Sequence, residues 1–229
     1  MKAKFGAIIV AGSGKIGGHV ASRNRAGAYI RTKVSPVNPS TTSQSAVRNR
    51  LTGLSQGWRS LTAAQRAAWN SAVGDYAKTD VFGDLRNPSG FNLYQRLNNN
   101  LLNVGEAAID VPPVPGSVHS FAAFTAAIVT GTPGMALTFS AAIPATDKVK
   151  LFATAPMSQG KSFVKAEYRQ IGVLTSASTS PFAAKTLYDA KFGAVTENGL
   201  KVFFKMVPVN VATGQSGIGI EASGISVTS

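Results

Sequence analysis

The sequence has no cysteine, which excludes disulfides, thiolate nucleophiles and thiolate metal ligands. Its two histidines, His19 and His119, lie far apart, and neither has a second histidine or a carboxylate at metal-ligand spacing. We therefore expect no metal site and treat both as ordinary side chains. The ten carboxylates are scattered; Asp80 and Asp84 sit close together in a loop with no histidine beside them. Spacing alone assembles no acid/base pair. Gly214-Gln215-Ser216-Gly217 starts like a nucleophile elbow but breaks at Ile218. These absences argue against an enzyme, a cofactor or a small-molecule substrate. No apolar run approaches the ~20 residues of a membrane-spanning helix. The stretch Ala7–Ala11 after Lys2 and Lys4 is shorter than a signal-peptide core, so no membrane partner is expected.

The least expected shortage is of negative charge in the first third. The chain of 229 residues has 23 basic and 10 acidic side chains, a formal net charge of +13. Lys2, Lys4, Lys15, Arg23, Arg25, Arg31, Lys33, Arg48, Arg50, Arg59 and Arg66 all precede Asp75, the first carboxylate. The rest of the chain is nearly balanced. Such asymmetry points to an acidic partner for the first third: nucleic acid, an anionic surface or an acidic protein neighbour.

What is present at the start imitates a phosphate cradle. Gly12-Ser13-Gly14-Lys15-Ile16-Gly17 follows the apolar Ala7-Ile8-Ile9-Val10 and fits G-x-G-x-x-G. A dinucleotide site needs an acidic residue about 20 positions on, or an arginine such as Arg31 for a 2′-phosphate, and further βα units behind it. Ser35-Pro36-Val37-Asn38-Pro39 follows instead. A P-loop fails as well, with Ile9 at its first glycine position and Ile16 at the hydroxyl position. The glycines read as turns: residues 3–11 and 15–23 as two strands joined at Gly12–Gly14, then Asn24–Gly27 as a turn and Ala28–Val34 as a third strand.

After Pro36 and Pro39, Ser40–Ser43 offers N-caps for a helix whose stripe is Val47, Leu51, Leu54 and Trp58, weakened by Gly53 and Gly57. Thr62-Ala63-Ala64-Gln65 is a capping box opening a second helix to about Tyr76, with Trp58 and Trp69 as core anchors. Residues 79–90 read as loop. Ser89 caps a third helix to about Asn103, bearing Leu93, Leu97 and Leu101, with Gly105 just past its end. Val111-Pro112-Pro113-Val114-Pro115-Gly116 is a stiff linker. Beyond it, Phe121–Val129, Met135–Ala142, Val149–Ala155, Phe163–Val173, Lys201–Val209 and Gly217–Val227 recur as short apolar segments between turn residues. The expected fold is α+β: a basic β-meander and helical docking module over 1–110, the linker over 111–116, and an antiparallel β-sandwich of fibronectin III or immunoglobulin kind over 117–229.

Residues 17–70 carry a wider pattern. Gly27-Ala28-Tyr29-Ile30-Arg31, Pro36-Val37-Asn38-Pro39, Gln44, Arg48, Trp58-Arg59 and Leu61-Thr62-Ala63-Ala64-Gln65-Arg66-Ala67-Ala68-Trp69 occur in order, and Gly83–Phe91 extends them. The set resembles a poorly characterised family encoded in tailed-bacteriophage and prophage genomes, usually among virion structural genes. The resemblance implies a virion structural protein, whether capsid-associated, connector or tail, assembled in the host cytoplasm beside other virion proteins and copies of itself. It brings no catalytic residues. The candidate partner-binding residues are Arg23, Arg25, Tyr29, Arg31, Lys33, Arg48 and Arg50. Period-2 alternation puts Tyr29, Arg31 and Lys33 on one strand face, where the Tyr29 ring can lie under a guanidinium. The alternative reading is a nucleic-acid-binding protein using the same basic third, although no RRM, KH or helix-turn-helix signature is present.

Overall fold

The computed structural model describes residues 12–24, 27–130 and 134–228. The described residues are mixed, with four α-helices and a large curled β-sheet, an α+β arrangement. It begins with a small antiparallel sheet: β1 (Gly14–Ile16), β2 (His19–Asn24) and β3 (Gly27–Thr32), in that order. Here the expectation of one strand over 15–23 is corrected. Ile16 pairs with His19 across Gly17-Gly18, so a tight turn divides that segment into two strands. Gly17 supplies the positive φ, +54°, that a two-residue hairpin turn of this hand requires. The expected strand over 3–11 lies outside the described residues.

Residues 33–41 lead without regular structure to α1 (Thr42–Ser60). Thr41 caps α1: its hydroxyl accepts from the Gln44 amide, and the Gln44 side-chain oxygen accepts from the Thr41 amide. The same box, Thr62 with Gln65, opens α2 (Ala63–Ser71). The helix expected to reach Tyr76 tightens into a 3₁₀ turn over Ala72–Tyr76, where Gly74 weakens the α-helix. The segment read as loop contains a short hairpin, β4 (Lys78–Thr79) with β5 (Leu85–Arg86). Ser89 then caps α3 (Gly90–Asn103), and Gly105 follows with φ +80°. Trp69, Tyr94, Leu93, Leu97, Leu54 and Leu61 form the helical core. Tyr94 lies between the two tryptophans, 5.5 Å from the Trp58 ring and 5.4 Å from that of Trp69.

The second core belongs to the C-terminal strands: β6 (Phe124–Thr130), β7 (Met135–Phe139), β8 (Asp147–Ala153), β9 (Arg169–Leu174), β10 (Phe182–Ala183), β11 (Lys201–Asn210) and β12 (Ile220–Thr228). They form one hydrogen-bonded run in the order β10-β7-β6-β12-β11-β8-β9. Every pairing is antiparallel except β6 with β12, which is parallel at Ile128–Thr130. A single hydrophobic cluster collects residues from both ends of that order, among them Leu137, Leu151, Leu174 and Phe204. One further helix, α4 (Lys185–Phe192), was not anticipated. Its Tyr188 is fully buried and donates its hydroxyl to the Thr154 carbonyl at 3.0 Å. That burial pushes the phenol well above its ordinary pKa, with Asp189 adding to the effect.

The Pro-rich segment is tied to both parts. Trp69 Nε1 donates to the Asp110 carbonyl and Tyr76 to that of Pro113, each at 2.8 Å, while the Gly116 amide donates to Gln215. Helix α3 also meets the large sheet directly. Asn100 Nδ2 donates to the Gly214 carbonyl at 2.9 Å, Asn103 to Gln170 at 2.9 Å, and Lys148 pairs with Glu106 at 2.6 Å. At Gly214 a Cβ would run into the Leu97 carbonyl, so glycine permits the close approach.

Candidate interaction surface

Register decides which candidate cations share a face. Residues directly opposite in an antiparallel pair point the same way, and neighbours along a strand alternate. Val20 lies opposite both Lys15 and Arg31, and Ser22 lies opposite Tyr29. One face of the small sheet therefore carries Lys15, Val20 and Arg31 in a row, with Ser22, Tyr29 and Asn24 beside them. Lys33 continues the alternation just past β3, its amide donating to the Gly18 carbonyl at 2.8 Å. Arg23, opposite Ala28, belongs to the other face with His19, Ala21 and Ile30. Arg25 lies outside the described residues.

Lys15, Arg31 and Lys33 are exposed, and Tyr29 is half-buried. The pairing of Tyr29 with a guanidinium is not seen: among the described residues, the cations over aromatic rings are Arg96, Lys201 and Lys205. Lys15 is the residue that sequence reasoning left out. Its place beside Arg31 depends on the Gly17-Gly18 turn, which set the register and was misassigned.

Arg48 and Arg50 are elsewhere. Arg48 donates to Asn38 at 2.6 Å, holding the extended segment against the start of α1. Arg50 reaches the other way, to Asn99 of α3 at 3.4 Å. It also faces Lys150, whose pKa is lowered by burial and further by the Arg50 charge. The candidates thus divide among one sheet face, its reverse, and two sides of α1. On α1 the first half of the apolar stripe is uncovered: Val47 is 49% and Leu51 46% exposed, whereas Leu54 is 4%.

Two of the carboxylates hold local structure. Asp80 accepts from the Phe82 and Asp84 amides at 2.8 and 3.2 Å and pairs with Arg86, shaping the β4–β5 hairpin. Asp147, buried, accepts from the His119 amide at 2.6 Å and from Asn210 at 3.1 Å. The His119 ring packs edge-on against Phe121 at 4.6 Å, and His19 is exposed on β2. Among the described residues no three histidine, cysteine or acidic side chains come together as a metal site, and no helix is long and apolar enough to cross a membrane. No protein-family model matches the chain, and no curated protein matches it.

Proposed function

We propose that this chain is a bacteriophage virion structural protein that works by protein–protein assembly, in a capsid-associated, connector or tail position. The pattern over residues 17–70 supports the virion setting. The observation that carries the assembly mechanism is the row Lys15–Val20–Arg31 with Lys33 and Tyr29, on a sheet face followed by no carboxylate before Asp75. Planar guanidinium next to an aromatic and an aliphatic side chain suits an acidic, partly apolar protein surface, where bidentate pairs fix orientation. Residues 1–110 act as the docking module, 111–116 as the connection, and 117–229 as a sandwich domain of immunoglobulin or fibronectin III kind. The strand order supports that finer fold. The first strand, β6, is antiparallel to β7 through one stretch and parallel to the last strand, β12, through its end, as a strand shared between two packed sheets would be.

The test replaces Lys15, Arg31 and Lys33 together with glutamine. Exposed charges contribute little to stability, so the variant should melt like wild type. It should nevertheless be missing from purified particles, while Arg23→Gln, on the opposite face, is incorporated normally. Normal incorporation of the triple variant together with loss of a salt-dependent DNA gel shift would replace this reading with a nucleic-acid one.

A further inference from the structure

A second polar surface begins where the small sheet ends, with Asn24 of β2 at its border. Between the 3₁₀ turn, the β4–β5 hairpin and the start of α3 is an open cleft of about 540 Å³. Tyr76, Lys78, Leu85, Arg86, Asn92 and Arg96 line it together with Pro88, and among the described residues no carboxylate does. Arg96 is its most telling member. It is half-buried, and its guanidinium lies 5.6 Å from the centre of the Tyr76 ring. Among the described residues it has no hydrogen-bond acceptor. The ring offsets part of the desolvation cost of a buried cation, but leaves the guanidinium's donors unused. Half-exposed as it is, the guanidinium keeps those donors open to an incoming acceptor. Nearby Arg86 is the contrast, held by Asp80 and Asp84 at 3.3 and 3.4 Å.

We propose that this cleft is a docking site for a short acidic and apolar peptide segment of another protein, its carboxylate seated on Arg96. The planar guanidinium, fixed over Tyr76, gives a carboxylate a fork of two parallel N–H donors. Lys78, which makes no ion pair among the described residues, supplies a second charge from β4. The Asn92 side chain, one turn before Arg96 on α3, adds an uncharged polar group. Leu85, 74% exposed, and Pro88 offer contact for aliphatic neighbours of the acid. A nucleic-acid strand fits less well. It needs a continuous row of cations and open aromatic faces, whereas only Lys78 and Arg96 are uncommitted and the Tyr76 ring is already covered. A second copy of this chain is a poor source, since most of its carboxylates are already engaged by lysines, arginines or amides.

This inference stands apart from the assembly reading, and its test needs no particles. The full chain, labelled with nitrogen-15, is titrated with a blocked Glu-Leu-Glu-Leu peptide, a blocked Gln-Leu-Gln-Leu peptide and inorganic phosphate. The acidic peptide should produce saturable shifts at the Arg96 side-chain Nε–H and the Asn92 amide, with little change at Arg31 or Arg48; the neutral peptide should produce none. Arg96→Gln should weaken binding at least tenfold, and Arg96→Lys, which keeps the charge but loses the fork, should not restore it. The proposal is overturned if shifts are as large at Arg31 and Arg48 as at Arg96, if the neutral peptide binds equally, or if phosphate saturates the same signals at lower concentration. The wild-type titration decides the matter even if Arg96→Gln does not fold.

Discussion

Lys150 is a cation at the meeting of α3 and the large sheet with no anion to receive it among the described residues. It is 8% exposed, and its ammonium donates to Asn100 Oδ1 at 3.0 Å. Burial lowers its pKa, and Arg50 lowers it further. Below that lowered folded value both states hold the proton, and the folded protein bears the full cost of a buried charge. Between it and the ordinary value of 10.5, the unfolded chain binds the proton that the folded chain has released, so stability rises with pH. Lys150→Met keeps most of the volume without the charge. It should be as stable as wild type or more so at pH 7, and the advantage should shrink as the pH approaches 10.5. Urea titrations at several pH values would show this. A variant that is less stable at neutral pH, with the same pH slope as wild type, would mean that the bond to Asn100 outweighs desolvation. The sequence marks Lys150 only as a basic residue in a strand; its burial depends on α3, some fifty positions away, and no local pattern carries that.

Helix α1 contains two glycines that look alike in sequence and differ in place. Gly53 is exposed, and a Cβ there would meet nothing within 4 Å. Gly53→Ala should therefore stabilise the protein by about 0.5–1 kcal/mol, the usual penalty of glycine inside a helix. At Gly57 the Cβ would lie 2.8 Å from the Tyr94 hydroxyl. Tyr94 cannot yield easily, being 2% exposed and set between Trp58 and Trp69. Gly57→Ala should be destabilising despite the better helix propensity, because α1 must move away from α3. Thermal melts of the two variants should shift in opposite directions; a shift upward in both would remove close packing as the reason for Gly57. The helices up to α3 were legible because capping hydroxyls, heptad-like stripes and a terminal glycine are local signals. Helix α4 was not, since Ala184 at its start gives no side-chain cap. The expected strand over Phe163–Val173 begins only at Arg169. Phe163 is 76% exposed, and the Glu167 amide turns back to the Val164 carbonyl at 2.9 Å. An apolar residue there covered no core, and its hydrophobicity misled.

At the scale of the molecule, the charge asymmetry was plain in the sequence, but the faces on which the cations stand were not. Alternation places Arg31 with Tyr29 correctly; only the register, set by Gly17-Gly18, shows that Lys15 joins them and Arg23 does not. The proposed division at 111–116 can be argued from the two cores. Every member of the helical cluster precedes residue 110, and every member of the sheet cluster follows residue 120. Polar bonds join the halves beside the packing of Leu101 near Gly214: Asn100 to Gly214, Asn103 to Gln170, Lys148 to Glu106. Polar contacts of this kind lose little when water replaces the partner. Separation would also return Lys150 to solvent, removing the cost of its burial. The fragment 117–229 should therefore fold alone. Both tryptophans, Trp58 and Trp69, lie in the helical part, so tryptophan fluorescence reports that part and circular dichroism of the isolated fragment reports the sheet. The fragment should unfold in urea in one cooperative transition, with a slope below that of the full chain because less surface is exposed. A gradual, featureless loss of β signal would mean that the sheet depends on α3 for its structure, and the polar seam would then be part of a single folding unit.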